Sequence, residues 1–118
     1  MSEYTEQVAI FQWAQLSESK YPQLKYMFST LNGIRLTIGQ ARKAKASGNR
    51  KGPPDIILPF SNDKYSGLWI ELKYGKNKAS KEQLEFIEFL KSNGYYAEVI
   101  TGAAKAIETI KKYLENEL

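Results

Sequence analysis

The sequence of 118 residues contains no cysteine and no histidine. The lack of cysteine excludes disulfides, zinc–thiolate sites and cysteine nucleophiles, and the lack of histidine removes the commonest general base and metal ligand. Any catalytic chemistry must therefore use carboxylates and lysines. No apolar run approaches the length of a membrane span, and the acidic N-terminus does not resemble a signal peptide, so we expect a cytoplasmic protein. The length predicts one domain, residues 1–118.

Acidic residues are absent from Ser19 to Pro54, although the net charge of the chain is only +4. That segment carries eight basic residues, which are Lys20, Lys25, Arg35, Arg42, Lys43, Lys45, Arg50 and Lys51. Because the release of counterions drives binding to a phosphate backbone, a stretch of one sign predicts a polyanionic partner such as DNA. The alternative is a basic surface that only keeps the protein soluble.

Two β-rich runs, Asp55–Phe60 and Gly67–Lys73, follow the Gly-Pro-Pro sequence at residues 52–54 and are separated by turn-forming residues. They predict a hairpin. Pairing the strands outward from the turn brings Asp55 opposite the segment from Glu71 to Lys73, at the open end. Side chains alternate along a strand, so Glu71 and Lys73 project together from one face, and the apolar positions line the core face. Those positions are Leu68, Ile70 and Leu72.

The predicted hairpin places two carboxylates, Asp55 and Glu71, close to each other. Two such groups repel unless a cation lies between them, and hard oxygen ligands suit Mg²⁺ or Mn²⁺. The alternative is that the Glu-x-Lys sequence is a solvated pair on the wet face of a strand and that the Pro-Asp step is only a turn. The two motifs in hairpin register favour the metal site.

The order Pro54-Asp55, a spacer and Glu71-x-Lys73 resembles the PD-(D/E)XK nuclease superfamily, and in particular its VRR-NUC branch, the virus-type replication and repair nuclease domain. The resemblance covers nearly the whole chain. It extends to Glu6-Gln7, Asn32-Gly33, the run Gly67–Lys73, Ser80-x-x-Gln83, Gly94-Tyr95 and a strand end near Thr101-Gly102. Pro53 departs from the small aliphatic residue expected before the Pro-Asp step.

This resemblance implies a divalent-metal-dependent DNA endonuclease that hydrolyses phosphodiester bonds. Asp55, Glu71 and the backbone carbonyl of Leu72 would hold Mg²⁺ or Mn²⁺, and Lys73 would position a water molecule or stabilise developing charge. The family pattern implies a small standalone phage-type protein resembling Holliday-junction resolvases, acting as a homodimer on branched DNA in repair. Flap-cutting, nicking or restriction-type cleavage, or DNA binding without catalysis, are the alternatives.

Two further residues have alternative roles. The resemblance implies that Glu6 borders the metal site, directly or through water, although a glutamate in a first helical turn also interacts favourably with the helix dipole. The resemblance also places Gln83 beside the catalytic groups, whereas the sequence Ser80-x-x-Gln83 is by itself a capping box for a helix.

Basic side chains near the predicted site are candidates for DNA contacts. Thr37 can cap a helix that continues to about Ser47 and presents Arg42, Lys43 and Lys45. The other candidates lie in the segments before Asp55 and after Lys73, and they are Arg50, Lys51, Lys76 and Lys78.

The fold predicted from these elements is α/β, with a restriction-endonuclease-like core in which a mixed sheet of about four strands is flanked by helices. Helical spacing predicts a first helix over Glu3–Ser17, with Ala9, Ile10, Trp13 and Leu16 as its apolar stripe. Residues from Lys25 to Leu31 are predicted to be extended. The passage from Glu71 to Ile100 is predicted to form a parallel strand pair through a right-handed crossover.

Overall fold

The computed structural model describes residues 2–30 and 35–118. Asn32-Gly33 of the sequence pattern, and Leu31, lie outside the described residues. The helices are α1 (Glu3–Leu16), a 3₁₀ helix (Pro22–Tyr26), α2 (Ile38–Ala46), α3 (Lys81–Ser92) and α4 (Ala103–Leu114). The strands are β1 (Phe28–Ser29), β2 (Ile56–Leu58), β3 (Leu68–Lys73) and β4 (Tyr96–Thr101).

The four strands of the described chain form one mixed sheet in the order β1-β2-β3-β4. Strand β2 is antiparallel to both β1 and β3, and β4 is parallel to β3. The chain passes from β3 to β4 through α3, so the predicted parallel pair joined by a helix is present. The predicted fold class, a mixed sheet of about four strands flanked by helices, is therefore confirmed.

Strand β3 is covered on both faces. Its residues Leu68, Ile70 and Leu72 are buried in the main core with Ile10 of α1 and Ile110 of α4. On the opposite face, α3 buries a smaller cluster around Ile87, Leu90 and Ala97, against which Trp69 packs. The side chains of Glu71 and Lys73 alternate with the main-core residues, so they lie on the face that α3 covers and not on a wet surface.

Two local predictions are wrong. Leu16 was predicted on the apolar stripe of α1 but is 85% exposed, because it occupies the last turn, beyond the part of the helix that packs on the core. The segment predicted to be extended from Lys25 begins within a 3₁₀ helix, and among its described residues, 25–30, only Phe28–Ser29 form a strand. Pro22 explains the helical turn, because its fixed φ suits the first position of a helix.

Helices long and apolar enough to span a membrane do not occur in residues 2–30 and 35–118.

Candidate active site

Asp55 and Glu71 lie on the same face of the sheet at the open end of the β2–β3 hairpin. Ile56 pairs with Ile70, so extending the register by one residue places Asp55 opposite Glu71. Both side chains are buried, with 8% of Asp55 and 1% of Glu71 exposed. Asp55 Oδ2 accepts a hydrogen bond of 2.8 Å from the backbone N–H of Leu72. The predicted convergence of these residues is what the structure shows.

The segment before Asp55 packs closely against α3 because the residue at the contact is a glycine, which has no side chain. Gly52 has φ +108°, and a Cβ atom at this position would lie 3.0 Å from the carbonyl oxygen of Glu82 in the first turn of α3. On the other side, Thr30 donates from its N–H to the Asp55 carbonyl at 2.9 Å and from its Oγ1 to the Pro54 carbonyl at 3.2 Å. Asp55 is thereby fixed from both sides.

Pro54 interrupts the ladder next to β3. Continuing the observed register by one more residue places Pro54 opposite Leu72, and proline has no N–H to donate to the Leu72 carbonyl. In a strand, the N–H and C=O of one residue point to the same side. Because the Leu72 N–H points toward Asp55, the Leu72 carbonyl also points toward Asp55. Its oxygen is therefore available to a cation or to a hydrogen-bond donor.

Glu71 is the most perturbed acid in the site. Its Oε2 lies 3.3 Å from Lys73 Nζ and accepts a hydrogen bond of 3.2 Å from Gln83 Nε2. Its Oε1 is buried and has no hydrogen-bond partner among the described residues. Burial and the neighbouring Asp55 raise the pKa of Glu71 to about 8, and Lys73 only partly offsets them. Ionisation of Glu71 is therefore unfavourable without a cation in the site.

The donor set fits a hard divalent cation. Asp55, Glu71 and the Leu72 carbonyl supply oxygen atoms at the same end of the sheet, and Mg²⁺ and Mn²⁺ prefer such ligands. Within residues 2–30 and 35–118, no group of three or more acidic, histidine or cysteine side chains is placed to hold a metal ion. A cation here would consequently use two carboxylates, with the remaining positions filled by backbone oxygen and water. The unpartnered Glu71 Oε1 is the atom that such an ion would satisfy.

Gln83 makes both of the contacts that the sequence left as alternatives. Its N–H donates to Ser80 Oγ at 3.2 Å and its Oε1 accepts from the Ser80 N–H at 2.8 Å, which completes the capping box of α3. Its Nε2 remains free for Glu71. Capping fixes the Gln83 side chain in the rotamer from which its amide reaches the buried carboxylate.

Glu6 forms a hydrogen bond to the N-terminus of α4, whereas the sequence suggested an interaction with the N-terminus of its own helix, α1. Its Oε1 accepts a hydrogen bond of 3.3 Å from the N–H of Ala103, the first residue of α4, instead of interacting only with its own helix. The neighbouring Gly102 donates its N–H to the Lys73 carbonyl at 3.0 Å. Glu6 therefore lies near the end of β3, where that strand terminates at Lys73. A water-mediated role at the metal stays a prediction.

The predicted DNA-binding side chains lie on α2 and on the segments before Asp55 and after Lys73. Helix α2 presents three of them, and the segments on either side of the site present the rest; all are exposed, and they are Arg42, Lys43, Lys45, Arg50, Lys51, Lys76 and Lys78. Arg50 has a structural contact as well, because its Nη1 lies 3.5 Å from the Lys45 carbonyl at the end of α2. The loop that carries Lys76 and Lys78 is tied to α1 by Asn77 Nδ2, which donates to Glu3 Oε2 at 3.2 Å.

Residues 1–104 match the family model of the VRR-NUC domain. The chain belongs to the VRR-NUC domain family. A solved structure described as a VRR_NUC domain protein is similar to it, with 29% sequence identity and a TM-score of 0.81, over 98% of this chain and 89% of that chain. No curated protein matches the sequence. The family and the similar structure show that this VRR-NUC domain has a nuclease-type fold.

Sequence reasoning missed the contacts that fix Asp55 in this VRR-NUC domain. The approach of Gly52 to Glu82 and the hydrogen bonds from Thr30 join segments that are distant in sequence. The signal that could have indicated the first of these is Gly52 itself, because a glycine directly before two prolines is typical of a constrained, closely packed turn.

Proposed function

We propose that this VRR-NUC domain is a divalent-metal-dependent DNA endonuclease. The observation that supports the proposal is the buried Glu71 carboxylate, which lies beside Asp55 with Oε1 unpartnered. A fold retains an arrangement that costs stability when function needs it, and a cation between two carboxylates removes both the repulsion and the unsatisfied oxygen.

Asp55, Glu71 and the Leu72 carbonyl would hold Mg²⁺ or Mn²⁺ in this proposal. Hydrogen bonding of Oδ2 to the Leu72 N–H orients the Asp55 carboxylate and leaves Oδ1 for the ion. When bound, the ion supplies Lewis-acid polarisation of the scissile phosphate and lowers the pKa of a coordinated water. Gln83 holds Glu71 Oε2 and thereby presents the other oxygen of that carboxylate.

Lys73 would act on the reacting groups. The residue lies at the end of β3 and is 8% exposed, and its ammonium lies 3.3 Å from Glu71 Oε2. With a cation held by Asp55 and Glu71, the Lys73 ammonium would be free to donate a hydrogen bond to the attacking water or to a phosphate oxygen. A preorganised donor aimed at developing negative charge lowers the barrier in a water-poor site.

The substrate in this proposal is branched DNA, and Holliday-junction-like cleavage is the form that the resemblance favours. A junction is cut on two opposing strands and each domain carries one site, so symmetric cleavage requires two copies related by a twofold axis. Exposed aromatic side chains supply material for such a contact. They are Tyr4, Tyr26, Phe28 and Phe89.

A cleavage panel tests the proposed function. The wild type would be incubated with a four-way junction, a flap, a duplex and a single strand, each with Mg²⁺, Mn²⁺ or chelator. We expect cleavage of a branched substrate with either metal and none with chelator, and we expect Asp55→Ala and Glu71→Ala to abolish it while DNA binding persists. Full activity of either variant at saturating Mg²⁺ would refute this site. Preferred cleavage of the flap, or single nicks, would replace the junction assignment.

A further inference from the structure

Helix α2 projects from the body of the protein. None of its nine residues is buried, and Ala44 is the only one that is even half-buried. The helix is formed by local signals, namely a capping box between Thr37 and Gln40 and a run of alanine, lysine and arginine, which are strong helix formers. A helix this short is only marginally stable by itself in water, so a surface that covers it would stabilise it.

Helix α2 carries charge of one sign without an internal ion pair, unlike α3 and α4. In α3, Lys81 lies 3.9 Å from Glu85, and in α4, Lys112 lies 3.1 Å from Glu108. Helix α2 contains three basic residues and no acid, and the sequence has no acid from Ser19 to Pro54. Its cations repel one another, and a polyanion is the partner that relieves this repulsion.

An apolar side chain lies among these cations. Ala44 is the least exposed residue of α2, and the helical period turns Ile38 and Arg42, four residues apart, away from it. Lys43 and Lys45 flank this outer face of α2. Ile38 is 78% exposed, which is a large exposure for an isoleucine surrounded by charge. The outer face therefore combines phosphate-binding groups with one aliphatic contact.

We propose that α2 is a DNA-contacting arm, in which Arg42, Lys43 and Lys45 bind phosphates and Ile38 packs on unstacked bases at a branch point. The inference rests on the proposed function, because it explains how the same nuclease domain would select branched DNA. In continuous duplex the base faces are covered by stacking, whereas at a branch they are open to an apolar side chain. Helix α2 ends nine residues before Asp55, and the connecting segment reaches the candidate site through Gly52, which approaches Glu82 of α3.

The ionic part of the proposal is tested by binding in chelator, where no cleavage occurs. The variant Arg42→Ala/Lys43→Ala/Lys45→Ala is compared with Lys91→Ala/Lys111→Ala/Lys112→Ala, which removes the same charge from exposed positions at the opposite end of the sheet. We expect the α2 variant to reduce the slope of log K against log salt by roughly three units and the control to change it little. Equal slopes for the two variants would overturn the proposal.

The apolar part is tested with Ile38→Ala, and Leu16→Ala is the control because Leu16 is an exposed aliphatic residue of α1. We expect Ile38→Ala to weaken binding to junction and flap by roughly 5-fold, with the salt slope and duplex binding unchanged. An equal loss on duplex would overturn the branch contact. Light scattering is run in parallel, and a smaller mass for Ile38→Ala would assign α2 to a contact between copies instead.

These measurements are independent of catalysis. If α2 variants bind normally while Asp55→Ala abolishes cleavage, the arm is refuted and the nuclease function stands. If the arm variants lose binding but the wild type never cleaves DNA, the proposed function fails and the DNA-contacting arm remains.

Discussion

The replacement Glu71→Gln should stabilise the metal-free protein at alkaline pH. The substitution keeps the shape of the side chain and removes a charge that is buried beside Asp55. The pKa of Glu71 is raised from 4.5 to about 8, mainly by burial and then by the repulsion from Asp55. Each unit of pKa shift corresponds to about 1.4 kcal/mol, so the ionised form of Glu71 costs at most about 5 kcal/mol of stability.

The sign of the pH dependence follows from proton binding. Below about pH 4.5 the carboxyl is protonated in both the folded and the unfolded state, so the variant and the wild type should differ little. Between that pH and about 8 the folded state binds the proton more tightly, and the wild type loses stability as the pH rises. Lys73 loses its partner in the variant, which offsets part of the gain. We expect a net stabilisation of roughly 2 kcal/mol at pH 8.5.

The measurement is urea unfolding in chelator at pH 5, 7 and 8.5, followed by tryptophan fluorescence. Glu85→Gln is the control, because Glu85 is exposed and forms only a surface pair with Lys81. The free-energy difference between Glu71→Gln and wild type should grow with pH, whereas that of the control should stay near zero. Adding Mg²⁺ at 100 times its Kd should stabilise the wild type by about 2.7 kcal/mol and the variant much less. A difference that is independent of pH, or a variant less stable at pH 8.5, would refute the electrostatic account of the site.

Three other predictions concern catalysis, backbone packing and assembly. Lys73→Ala should lower the single-turnover cleavage rate by about 10²-fold or more with little change in DNA affinity, and an unchanged rate with weaker binding would make Lys73 a phosphate contact. Gly52→Ala should destabilise the fold by about 1–3 kcal/mol in chemical denaturation because its Cβ would meet the Glu82 carbonyl at 3.0 Å, while Gly39→Ala, which has nothing within 4 Å, should not. Light scattering at micromolar concentration should give a dimer mass, and a monomer both free and on a junction would exclude paired cleavage by one assembly.

Local chemistry explains what could be predicted from the sequence. The hairpin register depends on the alternation of side chains and on the turn-forming residues between the strands, so the position of Asp55 opposite the Glu71–Lys73 segment was predictable without the rest of the chain. The helix cap at Thr37 and the capping box at Ser80 depend on residues three apart, and both form as expected. Family membership followed from the same short motifs and is confirmed.

Contacts between distant segments could not be obtained in this way. The amide of Gln83 reaches Glu71 because α3 packs across β3, and Glu6 bonds to Ala103, which lies 97 residues away. The direction of the apolar stripe of α1 was visible in the sequence, but the exposure of Leu16 was decided by where the core ends.

The sequence by itself determined that Asp55 and Glu71 form a pair of carboxylates and that Lys73 follows them at the end of the second strand. It also determined the excess of positive charge before Asp55. These features depend only on residue type and short spacing. The tertiary structure alone decided that Glu71 is buried with an unsatisfied oxygen and that α2 remains outside the core. Burial and isolation are properties of packing, since they depend on which other elements cover a residue and not on the residue's own neighbours in the chain.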